Sequence, residues 1–392
     1  MNTQKTYLDY AATTPVDPEV LRAMMPYFSE QFGNPGSLHA FGQEAIAAVD
    51  ASRETIAKAL GAEFRQVLFT ASATEANNLA LRGAVRKFRD AHAGKVRVIV
   101  SAIEHESVLE TARDLAQEGV DVVYIPVDAR GAVDLKKIKD SLTSETAVVS
   151  IMYANNEIGS VQPIREIAEI IKEFKTKENP QSKQPLFHTD AAQAFQFLDC
   201  DVKKLGVDLM TISSHKIYGP KGVGALYVWD AALLVPLTAG GGQEFGLRSG
   251  TENVPAIVGF AKAVELAVAA REKEAARIAA LREQLLQGIK KVFSKAEVNG
   301  FENGVGVTTL PNILNVCFPG HEAQDLLVRW DLAGLAVSAG SACRARAVTP
   351  SYVIEALGYS KERAKSSIRF SLGRPTTEKE IERALLAIPA GD

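Results

Sequence analysis

The sequence predicts an α/β protein, with a mostly parallel sheet flanked by helices and a smaller α+β part after it. From about residue 66, strand-like and helix-like segments alternate over about 160 residues, which is the pattern of βαβ units. Most strand-like runs are apolar at every position, as strands covered on both faces must be. The chain has 392 residues, more than one hydrophobic core usually serves. The first two observations predict the α/β class, and the length favours two domains.

The chain opens with an extended arm over residues 7–15. A helix is predicted over 17–31, because Asp17-Pro18-Glu19 combines an N-cap residue with proline at the first helical position. A second helix, over 42–60, stops at Gly61. These elements precede the strand–helix alternation.

The alternating part contains seven strand candidates and four helix candidates. The strands fall at 67–70, 96–100, 121–127, 147–152, 186–189, 209–212 and 223–228. The helices fall near 74–90, 105–118, 134–141 and 163–174. The polar stretch 175–184 is predicted to be an exposed turn.

A long Ala-, Leu- and Glu-rich helix over 255–293 is predicted to connect the two parts. Shorter elements follow it, with strands at 312–318 and 367–371 and helices at 321–333, 350–357, 361–366 and 377–387. This mixed pattern predicts a small α+β domain.

Composition excludes several classes of function. The net charge of −3, from 44 basic and 47 acidic residues, is not that of a nucleic-acid-binding protein. No apolar run approaches the 18 residues of a membrane span, and the first residues lack a signal-peptide pattern. Three cysteines suit a reducing compartment, so we predict a cytoplasmic protein. No CxxC or HxxxH spacing occurs, so we predict no metal site.

Two strand ends carry groups that suggest chemistry. The apolar run 209–212 leads into Ser213-Ser214-His215-Lys216, and Gly219, Pro220 and Gly222 then break the chain. A second apolar strand ends at Asp190. A lysine that forms a covalent bond and an aspartate that pairs with a ring nitrogen are the two groups that pyridoxal 5′-phosphate (PLP) requires. The alternatives are a solvated surface lysine and an aspartate that caps a helix.

The motif around Lys216 resembles that of cysteine desulfurases, the class V branch of the fold-type-I PLP-dependent transferases. The resemblance extends almost end to end and includes Tyr7–Pro15, Gly33-Asn34-Pro35, Ala73–Asn78, Asn155–Gly159, His188–Gln193, Arg248–Thr251, Ser341-Ala342-Cys343 and Arg369–Arg374. It implies a seven-stranded sheet in a large PLP-binding domain over 16–260. It also implies a small domain formed by 1–15 and 261–392.

The resemblance assigns roles to individual residues. Lys216 binds PLP covalently, Asp190 pairs with the ring nitrogen, and His105 stacks on the ring and transfers protons. The cofactor-binding residues it implies are Ala73, Thr74, His105, Asn156, Asp190, Gln193, Ser213, His215, Lys216 and Thr251. Ala73 and Thr74 start a helix, where backbone N–H groups favour a phosphate. Thr251 matches a residue that reaches the partner subunit's phosphate, which implies a homodimer.

Two residues are predicted to contact the substrate. Arg369 has the planar fork that grips a carboxylate, with a surface salt bridge as the alternative. Asn156 is expected beside the ring, near the substrate.

Cys343 lies in a small, polar, glycine-containing run that predicts an exposed loop. Arg344 and Arg346 favour its thiolate, whereas Cys200 and Cys317 are predicted to be buried. By resemblance Cys343 is the nucleophile that accepts sulfur. The run Arg344–Ala347 departs from the Thr/Ser-rich sequence expected there.

The implied reaction converts L-cysteine to L-alanine and leaves a persulfide on Cys343. The sulfur would pass to an acceptor or iron–sulfur scaffold protein, or to thio-cofactor synthesis. The alternatives are another PLP enzyme, such as a selenocysteine lyase or an aminotransferase, and a sulfur-transfer scaffold without turnover.

Overall fold

The computed structural model describes residues 5–92, 94–178, 183–300, 308–340 and 350–388. The strands in these ranges are β1 (Thr6–Tyr7), β2 (Val67–Thr70), β3 (Arg97–Ser101), β4 (Asp121–Ile125), β5 (Thr146–Ser150), β6 (Leu186–Asp190), β7 (Leu209–Ser213), β8 (Gly224–Val228), β9 (Glu297–Val298), β10 (Ile313–Cys317), β11 (Leu335–Ala336) and β12 (Ser367–Ser371).

The helices flank and connect these strands. They are α1 (Pro18–Met24), α2 (Pro26–Ser29), α3 (Ala40–Leu60), α4 (Ala73–Ala91), α5 (Glu106–Gln117), α6 (Leu135–Ser141), α7 (Ile164–Glu178), α8 (Val202–Leu205), α9 (Val254–Val292), α10 (Ala323–Leu332), α11 (Tyr352–Ala356), α12 (Lys361–Lys365) and α13 (Glu378–Ala387).

The central sheet has seven strands in the order β2-β8-β7-β6-β5-β3-β4. Only β8 runs against its neighbours; the other six strands point the same way. Neighbouring residues of one strand face opposite cores, so that Phe69 packs with α3 and α9 while Leu68 packs with α4 and α5. This confirms the predicted α/β class and explains why the strands are apolar throughout.

A second sheet, β12-β10-β9, is antiparallel and packs with the end of α9 and with α13. The amino-terminal arm joins this part of the molecule, because β1 pairs with β11 and Asp9 bridges to Ser371. The arm therefore runs from the second sheet towards the carboxyl end of the central sheet. The domain boundary at residue 260 falls inside α9 and stays a prediction.

Two predicted elements differ from the structure. The helix predicted over 17–31 is two helices, because Pro26 has no N–H to bond the carbonyl of Arg22. The turn predicted over 175–184 is helical as far as Glu178, and residues 179–182 lie outside the described residues. Lys175 stays in the helix and pairs with Asp208 at 3.2 Å, a contact with a distant segment that periodicity cannot reveal.

The elements β9, β11 and α8 were not predicted, since two to four residues are too few for a periodic pattern. In the described part of the chain, no helix combines the length and apolar composition that a membrane crossing needs.

Candidate active site

A cavity of about 200 Å³ lies at the carboxyl end of the central sheet. Most of its lining residues come from the ends of β2, β3, β5, β6 and β7 and the segments after them, because the carboxyl ends of parallel strands meet at one edge. The arm contributes Ala11 and Ala12, and β12 of the second sheet contributes Arg369. The residues are Ala11, Ala12, Ser72, Ala73, Thr74, His105, Ser107, Met152, Ala154, Asn156, Asp190, Ala192, Gln193, Ser213, His215, Lys216 and Arg369.

The cavity brings together ten residues that the sequence predicted for the site. They are Ala73, Thr74, His105, Asn156, Asp190, Gln193, Ser213, His215, Lys216 and Arg369. Thr251 is exposed and does not line the cavity. Cys343 lies outside the described residues.

Lys216 ends a short 3₁₀ turn that follows β7 directly. Its Nζ donates to the carbonyl oxygens of Ala11 at 2.7 Å and Ala12 at 2.8 Å. The chain can turn so sharply here because position 219 is glycine: a Cβ there would lie 2.1 Å from Ser214 Oγ. The lysine therefore faces the arm inside the cavity and is not a solvated surface charge.

Asp190 ends β6 and is 6% exposed. Its Oδ2 accepts a hydrogen bond from Asn77 Nδ2 at 2.7 Å, and its Oδ1 accepts one from the N–H of Ala192 at 2.9 Å. The residues after it form turns and no helix, so the alternative role as a helix N-cap does not apply. Both oxygens are held in place at the cavity wall.

His105 is the N-cap of α5. Its Nδ1 accepts from the backbone N–H of Ser107 at 3.1 Å, and that donor requires Nδ1 to be unprotonated. Burial lowers the pKa of His105, Asp190 opposes that shift, and the Lys216 ammonium adds to it. The ring is therefore neutral near pH 7, with its proton on Nε2.

Two further residues connect His105 to Asp190, and we did not predict either of them as a site residue. Asn77 Nδ2 donates to Ser107 Oγ at 2.8 Å as well as to Asp190, and Ser107 Oγ lies 2.9 Å from His105 Nδ1. A signal for Asn77 existed, since it is four residues after Ala73 and so shares a helix face with it. Ser107 had no comparable signal.

The first turn of α4 forms one wall. Ser72 caps the helix by accepting from the N–H of Glu75 at 3.2 Å, which leaves the N–H groups of Ala73 and Thr74 without helical partners at the cavity. Gly224 of β8 allows this close approach, because a Cβ there would lie 2.9 Å from the carbonyl carbon of Ser72. Free N–H groups and the helix dipole together favour an anion.

Ser213 and His215 also line the cavity, and Ser213 pairs with Gly224, the residue that lies against this helix start. His215 Nδ1 is 3.2 Å from Thr13 Oγ1. Burial, with the Lys216 and Lys221 ammonium groups, lowers the pKa of His215 to about 4. His215 is therefore a neutral hydrogen-bonding group at pH 7 and adds no positive charge.

Arg369 and Asn156 both line the cavity and contact each other. Arg369 is 1% exposed; its Nη1 donates to the carbonyl oxygen of Asn156 and its Nη2 to Asp9 Oδ1, each at 2.8 Å. The salt bridge that we weighed as an alternative does exist, but it is buried and lies beside the cavity. Arg369 Nε and Asn156 Oδ1 are buried without a hydrogen-bond partner, so each keeps an unused hydrogen-bonding capacity beside the cavity.

Gln193 donates from Nε2 to the carbonyl oxygen of Ala11 at 2.9 Å. Like the Lys216 contacts, this bond ties the cavity wall to the arm. Its predicted bond to a cofactor oxygen stays a prediction.

Cys200 and Cys317 are buried, as predicted from their surroundings. Burial raises the pKa of the Cys200 thiol to about 12 and also raises that of Cys317. A thiol acts as a nucleophile in its thiolate form. Neither of these two cysteines therefore suits sulfur chemistry.

His188 lies below the site, two residues before Asp190, and should make stability depend on pH. Its Nδ1 is 2.8 Å from Ser150 Oγ and its Nε2 is 3.1 Å from Thr211 Oγ1. Burial lowers its pKa to about 4. Between pH 6.5 and 4, the unfolded chain therefore binds a proton at His188 that the folded chain does not bind. The stability that the neutral His188 contributes above pH 6.5 is lost as the pH falls.

For His188 alone the expected loss is about 2 kcal/mol of unfolding free energy at pH 5. Urea unfolding of the protein without added cofactor at pH 7, 6 and 5 measures it, and a His188→Gln variant should lose less stability over that range. An identical pH dependence in the variant would contradict this assignment.

Comparison with known proteins finds a match over nearly the whole chain. The family model described as aminotransferase class-V matches residues 6–384. A cysteine desulfurase IscS of Dictyoglomus turgidum is 43% identical over 382 residues, covering 97% of this chain and 93% of the relative.

Solved structures agree with this match. One described as a NifS-like protein is 37% identical and has a TM-score of 0.88, with 98% of each chain covered. Another, "SspA in complex with cysteine", is 37% identical and has a TM-score of 0.80, covering 94% of this chain and 98% of its own.

Proposed function

We propose that this chain, which belongs to the class-V aminotransferase family and is a cysteine desulfurase, works with PLP bound at Lys216 and transfers sulfur to Cys343. The observation that carries the proposal is the meeting of Lys216, Asp190 and His105 in one cavity. A relative solved with cysteine supports L-cysteine as the substrate.

The residues of the cavity fit PLP. The first turn of α4 supplies N–H groups for a phosphate, and Ser213 and His215 lie beside it. Asp190 supplies a fixed carboxylate for a protonated ring nitrogen, and Lys216 supplies a partly buried amine. Asn156 Oδ1 is a buried acceptor without a partner. Ala73, Thr74, Ser213, His215, Asp190, Gln193 and Lys216 would hold the cofactor.

When bound, PLP supplies an electron sink that stabilises negative charge on the α-carbon of an amino acid. Lys216 Nζ then acts as the base that removes the α-proton of L-cysteine. His105 can donate the proton on its Nε2, because its Nδ1 already accepts a hydrogen bond from the N–H of Ser107. Arg369 orients the substrate carboxylate through the N–H groups that Asp9 and Asn156 leave free.

Sulfur transfer uses the thiolate of Cys343. It forms a bond to the substrate sulfur while the bond from that sulfur to the β-carbon breaks. The electron pair of the broken bond stays on carbon, which takes up a proton. L-cysteine and the enzyme thiol thus give L-alanine and the enzyme persulfide, and no outside oxidant or reductant is consumed. The burial of Cys200 and Cys317 supports Cys343 as the acceptor.

Mass spectrometry after exposure to L-cysteine tests the proposal. We expect one added sulfur atom on the peptide that contains Cys343, together with one L-alanine per persulfide. Added sulfur on another peptide, or L-cysteine consumption without L-alanine, would contradict it.

We further propose a homodimer. Within residues 21–41, six large apolar side chains are 50–93% exposed, namely Leu21, Met25, Phe28, Phe32, Leu38 and Phe41. So many exposed apolar side chains in one segment favour an interface, and Thr251, expected to reach a partner subunit, is exposed as well. Sedimentation of the purified protein as a monomer at micromolar concentration would contradict this proposal.

The cytoplasmic location and a sulfur-acceptor or scaffold partner remain proposals from the sequence.

A further inference from the structure

Asn77 lies where three parts of the cavity wall meet. It belongs to α4, whose first residues Ala73 and Thr74 line the cavity, and its side chain is fully buried. Its Nδ2 donates to Asp190 Oδ2 at the end of β6 and to Ser107 Oγ in the first turn of α5. One side-chain amide therefore connects α4, β6 and α5.

The orientation of this amide follows from its neighbours. An ionised Asp190 can only accept hydrogen bonds, so the group 2.7 Å from its Oδ2 must be the NH2 of Asn77. Asn77 Oδ1 is left buried and without a hydrogen-bond partner among the described residues. An unpaired buried acceptor costs free energy, but flipping the amide would place two oxygens against each other. Both amide protons are therefore used, one by Asp190 and one by Ser107.

The direction of the next hydrogen bond follows in the same way. Ser107 Oγ accepts from Asn77, so its own hydrogen can be donated to His105 Nδ1, which lies 2.9 Å away. The backbone N–H of Ser107 donates to the same nitrogen at 3.1 Å. Two donors thus face Nδ1, and a second proton on the ring would have to displace both of them. Nε2 is therefore the nitrogen that carries the ring proton.

We propose that Asn77 and Ser107 are positioning residues for the proposed reaction, which hold His105 as the neutral Nε2–H tautomer at a fixed place relative to Asp190. The inference rests on the proposed function. In this state the imidazole can donate a hydrogen bond from Nε2 to a ligand in the cavity and cannot accept one there. The chain of three hydrogen bonds fixes the ring relative to the carboxylate that is proposed to pair with the cofactor.

Histidine side-chain NMR of the protein without added cofactor tests the tautomer, and a His105→Gln variant identifies the signal of His105 among the six histidines. We expect the wild-type ring to be neutral at pH 7 with its proton on Nε2. Ser107→Ala keeps the backbone N–H but removes the hydroxyl donor, so it should raise the pKa of His105 by roughly half a unit to one unit. Asn77→Ala should also raise this pKa, because the Ser107 hydroxyl can then accept from a protonated ring.

Four other titratable groups act on the charge of His105, those of Asp190, Glu106, Lys216 and His215. None of them is replaced in Ser107→Ala, so the change in pKa measures the effect of the lost hydroxyl. With PLP and L-cysteine, Ser107→Ala should lower kcat for L-alanine formation roughly tenfold and leave KM within about twofold, because the orientation of the ring acts on the chemical step.

Thr111 supplies the matched control, because it carries a buried hydroxyl one turn further along α5, which donates to the carbonyl oxygen of Ser107 at 2.8 Å. Thr111→Val should leave the tautomer, the pKa of His105 and kcat unchanged, and thermal unfolding shows whether any variant has lost structure. A wild-type ring with its proton on Nδ1, or a Ser107→Ala variant that titrates like Thr111→Val, would show that the positioning role is wrong. If the wild-type protein forms no L-alanine, the proposed function fails, and the NMR titration still decides the tautomer.

Discussion

Replacing Lys216 by alanine is expected to lower L-alanine formation from L-cysteine by at least about a thousandfold, because it removes both the covalent attachment and the proposed base. Lys216 Nζ is the only described lysine amine that lines the cavity. Borohydride reduction of wild-type protein with PLP, followed by peptide mapping, should place the label at position 216. The Lys216→Ala variant should carry no label.

Lys221 is the control for this experiment. It is exposed, lies five residues after Lys216, and does not line the cavity. A Lys221→Ala variant should keep the label at 216 and the yellow colour of the bound cofactor. Label on another lysine of the wild-type protein would overturn the assignment of Lys216.

Replacing Cys343 by alanine is expected to lower sulfide release from L-cysteine in the presence of dithiothreitol by at least about a hundredfold, because the variant lacks the thiol that accepts the sulfur. The yellow colour and the absorbance change on adding L-cysteine should persist, because the cavity proposed to bind cofactor and substrate is lined by other residues in the described part of the chain. The two effects together would separate substrate binding from sulfur transfer.

Cys317→Ala is the matched control, since Cys317 is a buried thiol of β10 whose pKa is raised by burial. That variant should lose some stability and keep sulfide release. Normal sulfide release by the Cys343→Ala variant would show that sulfur leaves the substrate without this acceptor.

The central sheet was predicted closely from the amino-acid sequence, because the patterns that identify a strand extend over only a few residues. Largely apolar runs of four to seven residues between turn signals identified all seven strands, with ends within two residues of those observed. The site residues came from motifs at strand ends, where parallel strands place their ligands. Asn77 lay inside such a motif, yet its bond to Asp190 depends on how α4 packs against the sheet.

The carbonyl oxygens of Ala11 and Ala12 could not be predicted, because backbone atoms carry no residue-type signal. They contact Lys216 only because the arm crosses the cavity after β1 pairs with β11. The Arg369–Asp9 pair has the same origin, since it joins the second sheet to the arm across 360 positions.

The sequence by itself determined the strands of the central sheet, the longer helices and which side chains end at the carboxyl edge, because periodicity and turn chemistry act over a few residues. Only the tertiary structure decided which groups contact one another: that Lys216 faces the arm, that Arg369 is buried against Asp9, and that Asn77 donates to Asp190. These contacts join segments far apart in the chain, and packing of the whole core selects them.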